Sequence, residues 1–387
     1  MSALFSAGQL ASFGPSAFAA AETRLCQTDK GKAARLRSEV RLLVPRKAGV
    51  YGMVDGHEEL IYVGKAKNLR TRLLSYFRSR SRPPKAGKVV AQARRILWEV
   101  WPAEFASFLR ELELIRRWRP RLNVQGQPLR RRQTFICLGR NPVPHAFLAA
   151  EPPRTAVTFF GPVPAGWNAQ EAVRRLNDWF GLRDCPQAVE MVFPDQGELF
   201  PHPREPGCMR FELGTCLGPC TGTCSRQAYH AQFRAARDFL SGASRGPLPI
   251  LASQMAEAAQ TEHFERAAAL RDQLAPLQWL ADRLERVRYA RERLSFVYPV
   301  AAPDGTQNWY LIHGGRAPSA IPAPSNPAQK DDARRAIEAI FGPKQLSGVR
   351  DAYEHADGMM VVLAWFRKHP GELKRTLSPQ QALAMCR

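Results

Sequence analysis

The chain of 387 residues is 45% hydrophobic, so it can bury a core and form about two to four globular domains. No apolar run reaches the roughly 20 residues of a bilayer span, which excludes a membrane-spanning protein. The formal net charge is +21, and residues 1–140 hold 28 Lys and Arg against 10 Asp and Glu, so the first third is expected to bind a nucleic acid.

Residues 1–40 are predicted to be a flexible leader. The first 23 residues contain no Lys or Arg, and Gly14 and Pro15 interrupt them. A secretion signal needs a cationic start followed by a continuous apolar stretch. We therefore expect no secretion signal and a cytoplasmic protein.

Residues 41–125 alternate short apolar strands with helical stretches, which is typical of an α/β domain with a small mixed sheet flanked by helices. The predicted strands are GVYGMV, ELIYVG and ILWEVWPA, and the predicted helices are KNLRTRLLSYF and EFASFLRELELIRRW. Most of the excess positive charge falls in or near this domain.

Three further segments follow. Residues 126–248 are predicted to be a connector and a mostly helical Cys-rich domain, with the strands FICLG and AVTFFGP and the amphipathic helix NAQEAVRRLNDWFG. Residues 249–295 are predicted to form a helical hairpin with Pro276 near its bend. Residues 296–387 are predicted to form a small α+β region of unknown role. It contains a β-hairpin from LSFVYPV and NWYLIHGG, the linker APSAIPAPSNPAQ, and helices such as DDARRAIEAIFG.

Two tripeptides on adjacent predicted strands, GVY at 49–51 and YVG at 62–64, resemble the signature of the GIY-YIG nucleases. The later block ELELIRRWRPRLN is similar to the corresponding helix and exit loop of the UvrC excinuclease family. The resemblance implies a GIY-YIG nuclease domain over residues 41–125. It implies an active site formed by Tyr51, Tyr62, Gly64, Lys65, Arg72, Tyr76, Glu111 and Asn123.

By this resemblance, Glu111 holds one Mg²⁺ or Mn²⁺ ion, which keeps coordination positions open for phosphate and water. Tyr62 is the general base or orients the water, and a nearby metal with Lys65 or Arg72 favours its phenolate. Arg72 offers a planar fork to the scissile phosphate. One departure is visible, because the residues before Glu111 are ASFLR rather than the family's acidic and apolar run.

The other residues of the set have supporting roles. Tyr51 and Tyr76 position water or phosphate by hydrogen bonds, and Gly64 lets the backbone and the substrate approach closely. Asn123 fixes the loop after the helix. Three more cations are predicted to contact DNA phosphates without taking part in catalysis: Lys67, Arg70 and Arg78.

Five cysteines lie between residues 185 and 224, and this density favours a metal or cluster over disulfides when no secretion signal is present. The surrounding sequence, FGLRDC and CMRFELGTCLGPC, resembles the Cys-rich region of the UvrC family. That resemblance implies a 4Fe-4S cluster, with structural zinc as the alternative, on the thiolates of Cys185, Cys208, Cys216 and Cys220. Cys224 is an alternative fourth ligand.

The helical stretch MAEAAQTEHFERAAALRDQL resembles the UVR motif, through which UvrC and UvrB proteins contact each other. Four residues share one face by i, i+3, i+4, i+7 spacing: Phe264, Ala267, Ala268 and Arg271. An aromatic anchor, two small residues and an ion-pairing group suit contact between helices. The resemblance therefore implies a UvrB-type helicase protein as a partner.

The C-terminal region shows no motif of the RNase H-like nuclease or the helix-hairpin-helix repeats with which UvrC proteins continue. Its polar helical stretches contain four residues that we interpret as solvated charges: Asp331, Asp332, Asp351 and His355. The layout is closer to that of Cho, the short UvrC homologue.

The resemblance implies a DNA endonuclease of nucleotide excision repair. The expected reaction is a metal-dependent cut 3′ to a lesion, in damaged double-stranded DNA bound by UvrB. Two alternatives remain open. One is a non-enzymatic adaptor that binds DNA and UvrB with an inactive nuclease fold, and the other is a structure-specific GIY-YIG nuclease that acts without UvrB.

Overall fold

The computed structural model describes nine stretches of the chain, at residues 13–18, 24–78, 84–123, 133–139, 143–186, 188–194, 208–301, 305–342 and 356–387. Within these stretches the chain forms two compact units. The first unit contains residues 13–123, 290–342 and 356–387, and the second contains residues 133–289, with the gaps just given. The first unit therefore joins the N-terminal third of the chain to its C-terminal part, whereas the sequence predicted five successive segments.

The first unit is built around a four-stranded sheet formed by β1 Cys26–Gln27, β2 Gly49–Val54, β3 Leu60–Ala66 and β4 Arg95–Val100. The strand order is β1-β4-β2-β3. The sequence predicted a small mixed sheet, but all described pairs are antiparallel. A short turn joins β2 to β3, and a connection of that length permits only antiparallel pairing.

Four helices accompany this sheet: α1 Ala33–Leu43, α2 Leu69–Ser75, α3 Pro84–Gln92 and α4 Glu104–Trp118. Leu36 and Val40 lie one turn apart on α1, and both are buried in the core of the sheet. The prediction of a flexible leader through residue 40 is therefore wrong for the described residues. There β1 pairs with β4, and α1 contributes to the core.

Residues 13–18, which we call the N-terminal strap, also belong to this unit. Phe13 is buried, and its backbone N–H donates to Glu99 Oε1 on β4 at 3.1 Å. The ring of Phe13 lies so close to Gly52 that a Cβ built there would be 3.0 Å from Phe13 Cζ. Gly52 therefore makes room on β2 for the aromatic residue of the strap.

The strap is fastened to α4 by the fully buried Arg110. Its guanidinium donates to Glu99 Oε2 at 3.0 Å, Gly14 O at 2.7 Å and Pro15 O at 3.2 Å. It also donates to Glu113 Oε2 at 2.7 Å. Burial alone would lower the pKa of Arg110, but hydrogen bonds and charges from Glu99 and Glu113 outweigh it and raise the pKa. The ASFLR departure thus places a charged residue in the core with carboxylate and carbonyl partners.

The second unit consists of β5 Gln133–Gly139, β6 His145–Ala149, β7 Ala156–Pro164, α5 Trp167–Trp179, α6 Met209–Glu212, α7 Arg226–Ser241, α8 Pro247–Gln260 and most of α9 Phe264–Arg293. Its three strands are antiparallel, in the order β6-β5-β7. Asn177 on α5 holds β6, because its side chain accepts from Ala146 N at 3.1 Å and donates to Ala146 O at 2.9 Å. Residues of α5, α7, α8 and α9 share one apolar core with this sheet.

α8 and α9 form the predicted helical hairpin, but its bend lies at residues 261–263 and not near Pro276. The chain turns where Glu262 adopts a left-handed conformation, with φ of 59°. Pro276 lies inside α9. The helix continues past it because the next turn is anchored in the core by Leu277 and Leu280.

The C-terminal part of the first unit consists of β8 Phe296–Ala301, β9 Gln307–His313, β10 Arg316–Pro322, α10 Pro327–Phe341, α11 Ala356–Lys368, a 3-10 helix at Pro370–Arg375, and α12 Pro379–Met385. The predicted hairpin of β8 and β9 is confirmed. Part of the predicted linker instead forms β10, which pairs with β9. An edge strand tolerates the prolines of this stretch. None of the described helices has the length and apolar character needed to cross a bilayer.

An aromatic cluster joins α4 to this C-terminal part within the first unit. The ring centroid of Phe105 on α4 lies 5.2 to 5.5 Å from those of Tyr298, Tyr310 and Trp365. Phe366 lies 5.2 Å from Tyr298. Most of these rings meet edge to face, the arrangement that aromatic pairs favour. The C-terminal region therefore shares a core with α4 and is not a separate tail.

We predict that Arg110→Met lowers the free energy of unfolding by about 3–5 kcal/mol, because it leaves the charge of Glu99 buried without its partner. Chemical denaturation of the whole chain measures this loss. Arg335→Met is the matched control, since Arg335 is an exposed cation on α10. An Arg110→Met loss no larger than that of the control would show that the pair contributes little to the fold.

Candidate active site

Three tyrosines from β2, β3 and the end of α2 meet in the first unit. The ring centroids of Tyr51, Tyr62 and Tyr76 are 6.0 to 6.2 Å apart. The hydroxyls of Tyr51 and Tyr76 are 2.9 Å apart, and Arg72 Nε donates to Tyr51 Oη at 3.3 Å. Arg72 is exposed, and its guanidinium carbon lies 5.2 Å from the centre of the Tyr76 ring. The cluster thus directs a planar cation toward solvent.

Burial raises the pKa of each of these three phenols above its ordinary value, and it is the largest contribution in all three. For Tyr62, Tyr76 and Glu111 raise the pKa further, and Arg72 lowers it. The predicted effect of Arg72 on Tyr62 therefore has the right sign but is smaller than that of burial. The chain by itself keeps Tyr62 protonated at neutral pH.

Gly64 and Asn123 fix the local shape of β3. A Cβ at Gly64 would lie 2.5 Å from Tyr51 Cζ, so only glycine lets the Tyr51 ring lie across the strand. The Asn123 side chain accepts from Val63 N and donates to Val63 O, both at 2.8 Å. Asn123 thereby pairs with the open edge of β3, between the positions of Tyr62 and Gly64. This contact agrees with a structural role for Asn123.

Lys65 lies along a stripe of α4 formed by three residues at i, i+4, i+7 spacing: Glu104, Phe108 and Glu111. Lys65 Nζ is 3.7 Å from Glu104 Oε1 and sits over the Phe108 ring. Burial is the largest influence and lowers the pKa of Lys65, while the charges of Glu111 and Glu104 act in the opposite direction.

Glu111 faces the tyrosine cluster, since its charge acts on both Tyr62 and Lys65. Its side chain is half-buried. In the stretches that the structure describes, no three His, Cys, Asp or Glu side chains are grouped so as to hold a metal ion. A divalent cation here would have Glu111 as its carboxylate ligand and would take its other ligands from water and substrate, as Mg²⁺ commonly does.

The three predicted phosphate contacts differ in their surroundings. Lys67 and Arg78 are exposed. Arg70 is half-buried, and its Nε donates to Val44 O at 2.5 Å, so part of its guanidinium holds the start of α2 to the loop after α1. Lys67 and Arg78 are therefore accessible to a phosphate group, whereas Arg70 also has a structural role.

The predicted cluster ligands lie near one another in the second unit. Burial raises the pKa of Cys216 and of Cys220, and the charge of Cys185 raises both further. Cys208, which is exposed, also acts on Cys220. Cys224 is buried in the apolar core. These thiols are neighbours, but they are not arranged as a ready metal site.

The predicted partner-binding face lies on the first two turns of α9. Phe264 is 67% exposed, which is unusual for a large aromatic side chain. Ala267 and Ala268 are half-buried, and Arg271 is exposed and paired with Asp272 at 2.9 Å. The face therefore presents the aromatic and charged groups that the sequence predicted.

The remaining charged candidates do not form a site. Asp331 and Asp332 are exposed and pair with Arg334 and Arg335 on α10, as expected of solvated charges. Asp351 and His355 lie outside the described residues.

Sequence reasoning missed Glu104, Phe108 and the C-terminal Lys368. The spacing of Glu104 and Phe108 from Glu111 places all three on one face of α4 and could have identified the first two. No sequence signal indicated Lys368. The pKa of Lys65 is lowered mainly by burial, and the charge of Lys368 is a smaller influence in the same direction.

Three family models match successive parts of the chain. Residues 47–124 match the UvrC-like GIY-YIG domain, residues 134–239 match the UvrC/Cho excinuclease middle domain, and residues 251–278 match the UvrB/UvrC motif. The C-terminal part of the first unit, from β8 onward, lies entirely beyond these matches.

Curated relatives include UvrABC system protein C of Corynebacterium jeikeium, 32% identical, and of Pseudomonas syringae pv. syringae, 33% identical, each over 236 residues. The matches cover 61% of this chain and 33% and 37% of the relatives, so the chain spans about a third of their length. Among solved structures, the GIY-YIG N-terminal endonuclease domain of Thermotoga maritima UvrC, bound to its catalytic magnesium, is 33% identical. It covers 23% of this chain and 97% of that domain, with a TM-score of 0.21.

These matches fall on the strands and helices that form the tyrosine cluster, on the Cys-containing unit and on the α8–α9 hairpin. The three matched regions follow one another along the chain without overlap. Residues 47–278 thus carry a UvrC-like GIY-YIG domain, a UvrC/Cho middle domain and a UvrB/UvrC motif, which makes the chain a UvrC/Cho-like protein of the GIY-YIG excinuclease type.

Proposed function

We propose that this protein is a metal-dependent DNA endonuclease of nucleotide excision repair that acts in the cytoplasm. It cuts damaged double-stranded DNA 3′ to a lesion within a complex containing a UvrB-type protein. One observation carries the proposal: Glu111, Tyr62, Lys65 and Arg72 converge in the domain that matches the UvrC-like GIY-YIG model.

The donor set suits a hard divalent cation. Glu111 is a carboxylate whose charge acts on Tyr62, and its side chain is not fully buried. Carboxylate and water oxygens are the ligands that Mg²⁺ and Mn²⁺ prefer. Such an ion, when bound by Glu111, supplies positive charge to the phosphate and lowers the pKa of water.

Three side chains have the remaining roles in the proposed reaction. Arg72, held by Tyr51 and stacked near Tyr76, presents its guanidinium to the scissile phosphate and offsets the charge that grows on its oxygens. Lys65 adds a second positive charge next to Glu111. The hydroxyl of Tyr62 orients the attacking water. Once nearby positive charge has lowered the phenol's pKa and the phenol has released its proton to solvent, the phenolate oxygen accepts the proton of the attacking water.

The partner surface is the start of α9. We assign the UvrB-type contact to Phe264, Ala267, Ala268 and Arg271. An exposed aromatic side chain beside small residues gives an anchor and room for close approach of a second helix. The match of residues 251–278 to the UvrB/UvrC motif supports this assignment.

The Cys-containing unit is assigned a thiolate-bound group, a 4Fe-4S cluster, on Cys185, Cys208, Cys216 and Cys220. The mutual electrostatic influence of these thiols supports the assignment. Cys224 is a poorer ligand because it is buried in the apolar core. Bringing the four thiolates into contact with one group requires local rearrangement, which metal binding commonly drives.

The test is a reconstituted incision assay with UvrA, UvrB and a lesion-containing duplex labelled at both ends of the damaged strand. Wild type is expected to cut only 3′ to the lesion, and only with Mg²⁺ or Mn²⁺ present. Glu111→Gln is expected to reduce the rate at least about 100-fold, since it removes the charged metal ligand. Glu338→Gln, an exposed carboxylate on α10, is the matched control.

Each other outcome identifies an alternative. Binding of DNA and UvrB without metal-dependent cutting would indicate an adaptor with an inactive nuclease fold. Cutting in the absence of UvrB would indicate a nuclease that acts alone. Unchanged cutting by Glu111→Gln would remove the carboxylate from the mechanism.

The pH dependence of cutting tests the role of Tyr62. The folded chain raises the pKa of Tyr62, so the pH of the assay lies below that pKa. In that range the phenolate fraction grows about tenfold per pH unit. The wild-type rate should therefore rise with pH through the neutral range. Tyr62→Phe should cut about 10²- to 10⁴-fold more slowly and lose this rise, whereas Tyr289→Phe, at a 48% exposed residue, should leave both intact. A variant Tyr62→Phe with the wild-type pH slope would show that Tyr62 is not the base.

Anaerobic purification tests the cysteine assignment. We expect brown protein with about four iron atoms per chain, and loss of iron in Cys216→Ser. Cys26→Ser is the control, because Cys26 lies in the first unit. Colourless protein that contains zinc would replace the cluster with a structural zinc site, and protein with neither metal would refute both.

A further inference from the structure

The helix α11, Ala356–Lys368, lies outside the three regions matched by the family models but packs on the helix that carries Glu111. Its Trp365 approaches α4 at two places, with ring centroids 5.5 Å from Phe105 and 6.2 Å from Phe108. Arg116 on α4 and Asp357 near the start of α11 form an ion pair at 3.7 Å. Both ends of α11 are therefore fixed to α4.

This packing directs the C-terminal end of α11 toward the active site. Phe108 connects Trp365 to Lys65, since its ring contacts the indole and also the ammonium of Lys65. Lys368 follows Trp365 by three residues, so it shares a face of α11 with it. The charge of Lys368 accordingly reaches Lys65, whose pKa is lowered first by burial and also by Lys368.

Arg367 and Lys368 are exposed. Neither forms an ion pair with another residue in the part of the chain that the structure describes. Two acidic groups lie next to Lys65, since Glu104 pairs with it and the charge of Glu111 acts on it. Asp357, at the other end of α11, pairs with Arg116, and Glu372 accepts from Tyr298 and pairs with Arg375. The end of α11 therefore adds two positive charges near Lys65, and neither of them belongs to an ion pair among the described residues.

A purely structural explanation exists for these two cations. Both lie in the last turn of α11, where positive charge interacts favourably with the helix dipole. The dipole explains why Arg367 and Lys368 lie at the helix end. It does not explain why the helix points toward Lys65 and so brings the like charges of Lys368 and Lys65 near each other. A polyanion on this surface would offset the repulsion.

We propose that Arg367 and Lys368 bind backbone phosphate of the DNA strand beside the scissile phosphate, so that the C-terminal region is part of the DNA-binding surface. Phosphate contacts of this kind position a duplex without reading its sequence. The proposal rests on the proposed function in one respect, since it takes the ligand to be DNA. It does not require that the protein cuts.

The experiment is a titration of undamaged duplex DNA with the full chain in EDTA, over a range of salt concentrations. The double variant Arg367→Gln with Lys368→Gln is compared with the control Arg334→Gln with Arg335→Gln, which removes the same charge from exposed sites on α10. Each lost phosphate contact should reduce the slope of log K against log salt by about 0.9. The α11 variant should therefore show a slope smaller by about 1 to 2, and the control should match wild type.

Thermal denaturation accompanies the titration, because the structural explanation makes a separate prediction. If the two cations only interact with the helix dipole, the α11 variant melts at a lower temperature but binds DNA with the wild-type slope. A wild-type slope for the α11 variant would overturn the proposal. So would equal slopes for the two variants, or a wild-type protein that does not bind the duplex. Absence of cutting in the incision assay tests the proposed function independently, because no step of this titration depends on cleavage.

Discussion

The first unit depends on the buried ion pair between Arg110 and Glu99. Glu99 belongs to a central region of the sheet and Arg110 to α4, and each also binds the N-terminal strap. A buried charge without a partner is costly, so the pair admits only arrangements in which sheet, helix and strap are all in place. The same pair sets the rotation of α4 about its axis. Since Glu111 is the next residue, the rotation that buries Arg110 also turns Glu111 toward the tyrosines.

The parts of the fold that follow from local pattern could be predicted from the sequence. Strands β2 and β3, helix α4 and the α8–α9 hairpin are visible as apolar periodicity, and the spacing of Tyr51, Tyr62 and Glu111 is visible as a family resemblance. What the sequence did not reveal depends on contacts between distant segments. Phe13 looks like one apolar residue in an irregular stretch until Gly52 and Glu99 are beside it. Phe105, Tyr298 and Trp365 are likewise ordinary core residues until the fold brings them together.

The site also shows why resemblance and structure contribute different information. Resemblance implied that Tyr62 is the general base or orients the water. The folded environment adds that burial raises the pKa of this phenol and outweighs the opposing influence of Arg72. A protonated phenol can hydrogen-bond to water but cannot accept a proton from it. In the proposed mechanism, proton transfer to Tyr62 therefore depends on nearby positive charge, whether from a metal ion or from cations such as Lys65.

The aromatic cluster around Phe105 has a consequence for biosynthesis. The helix α4 emerges from the ribosome long before β8, β9 and α11, and the whole second unit is made between them. During that interval Phe105 and Phe108 lack the rings that cover them in the finished protein. Closing so long a loop is entropically expensive and slow. The nascent first unit should therefore remain incomplete, with these rings exposed, until late in translation.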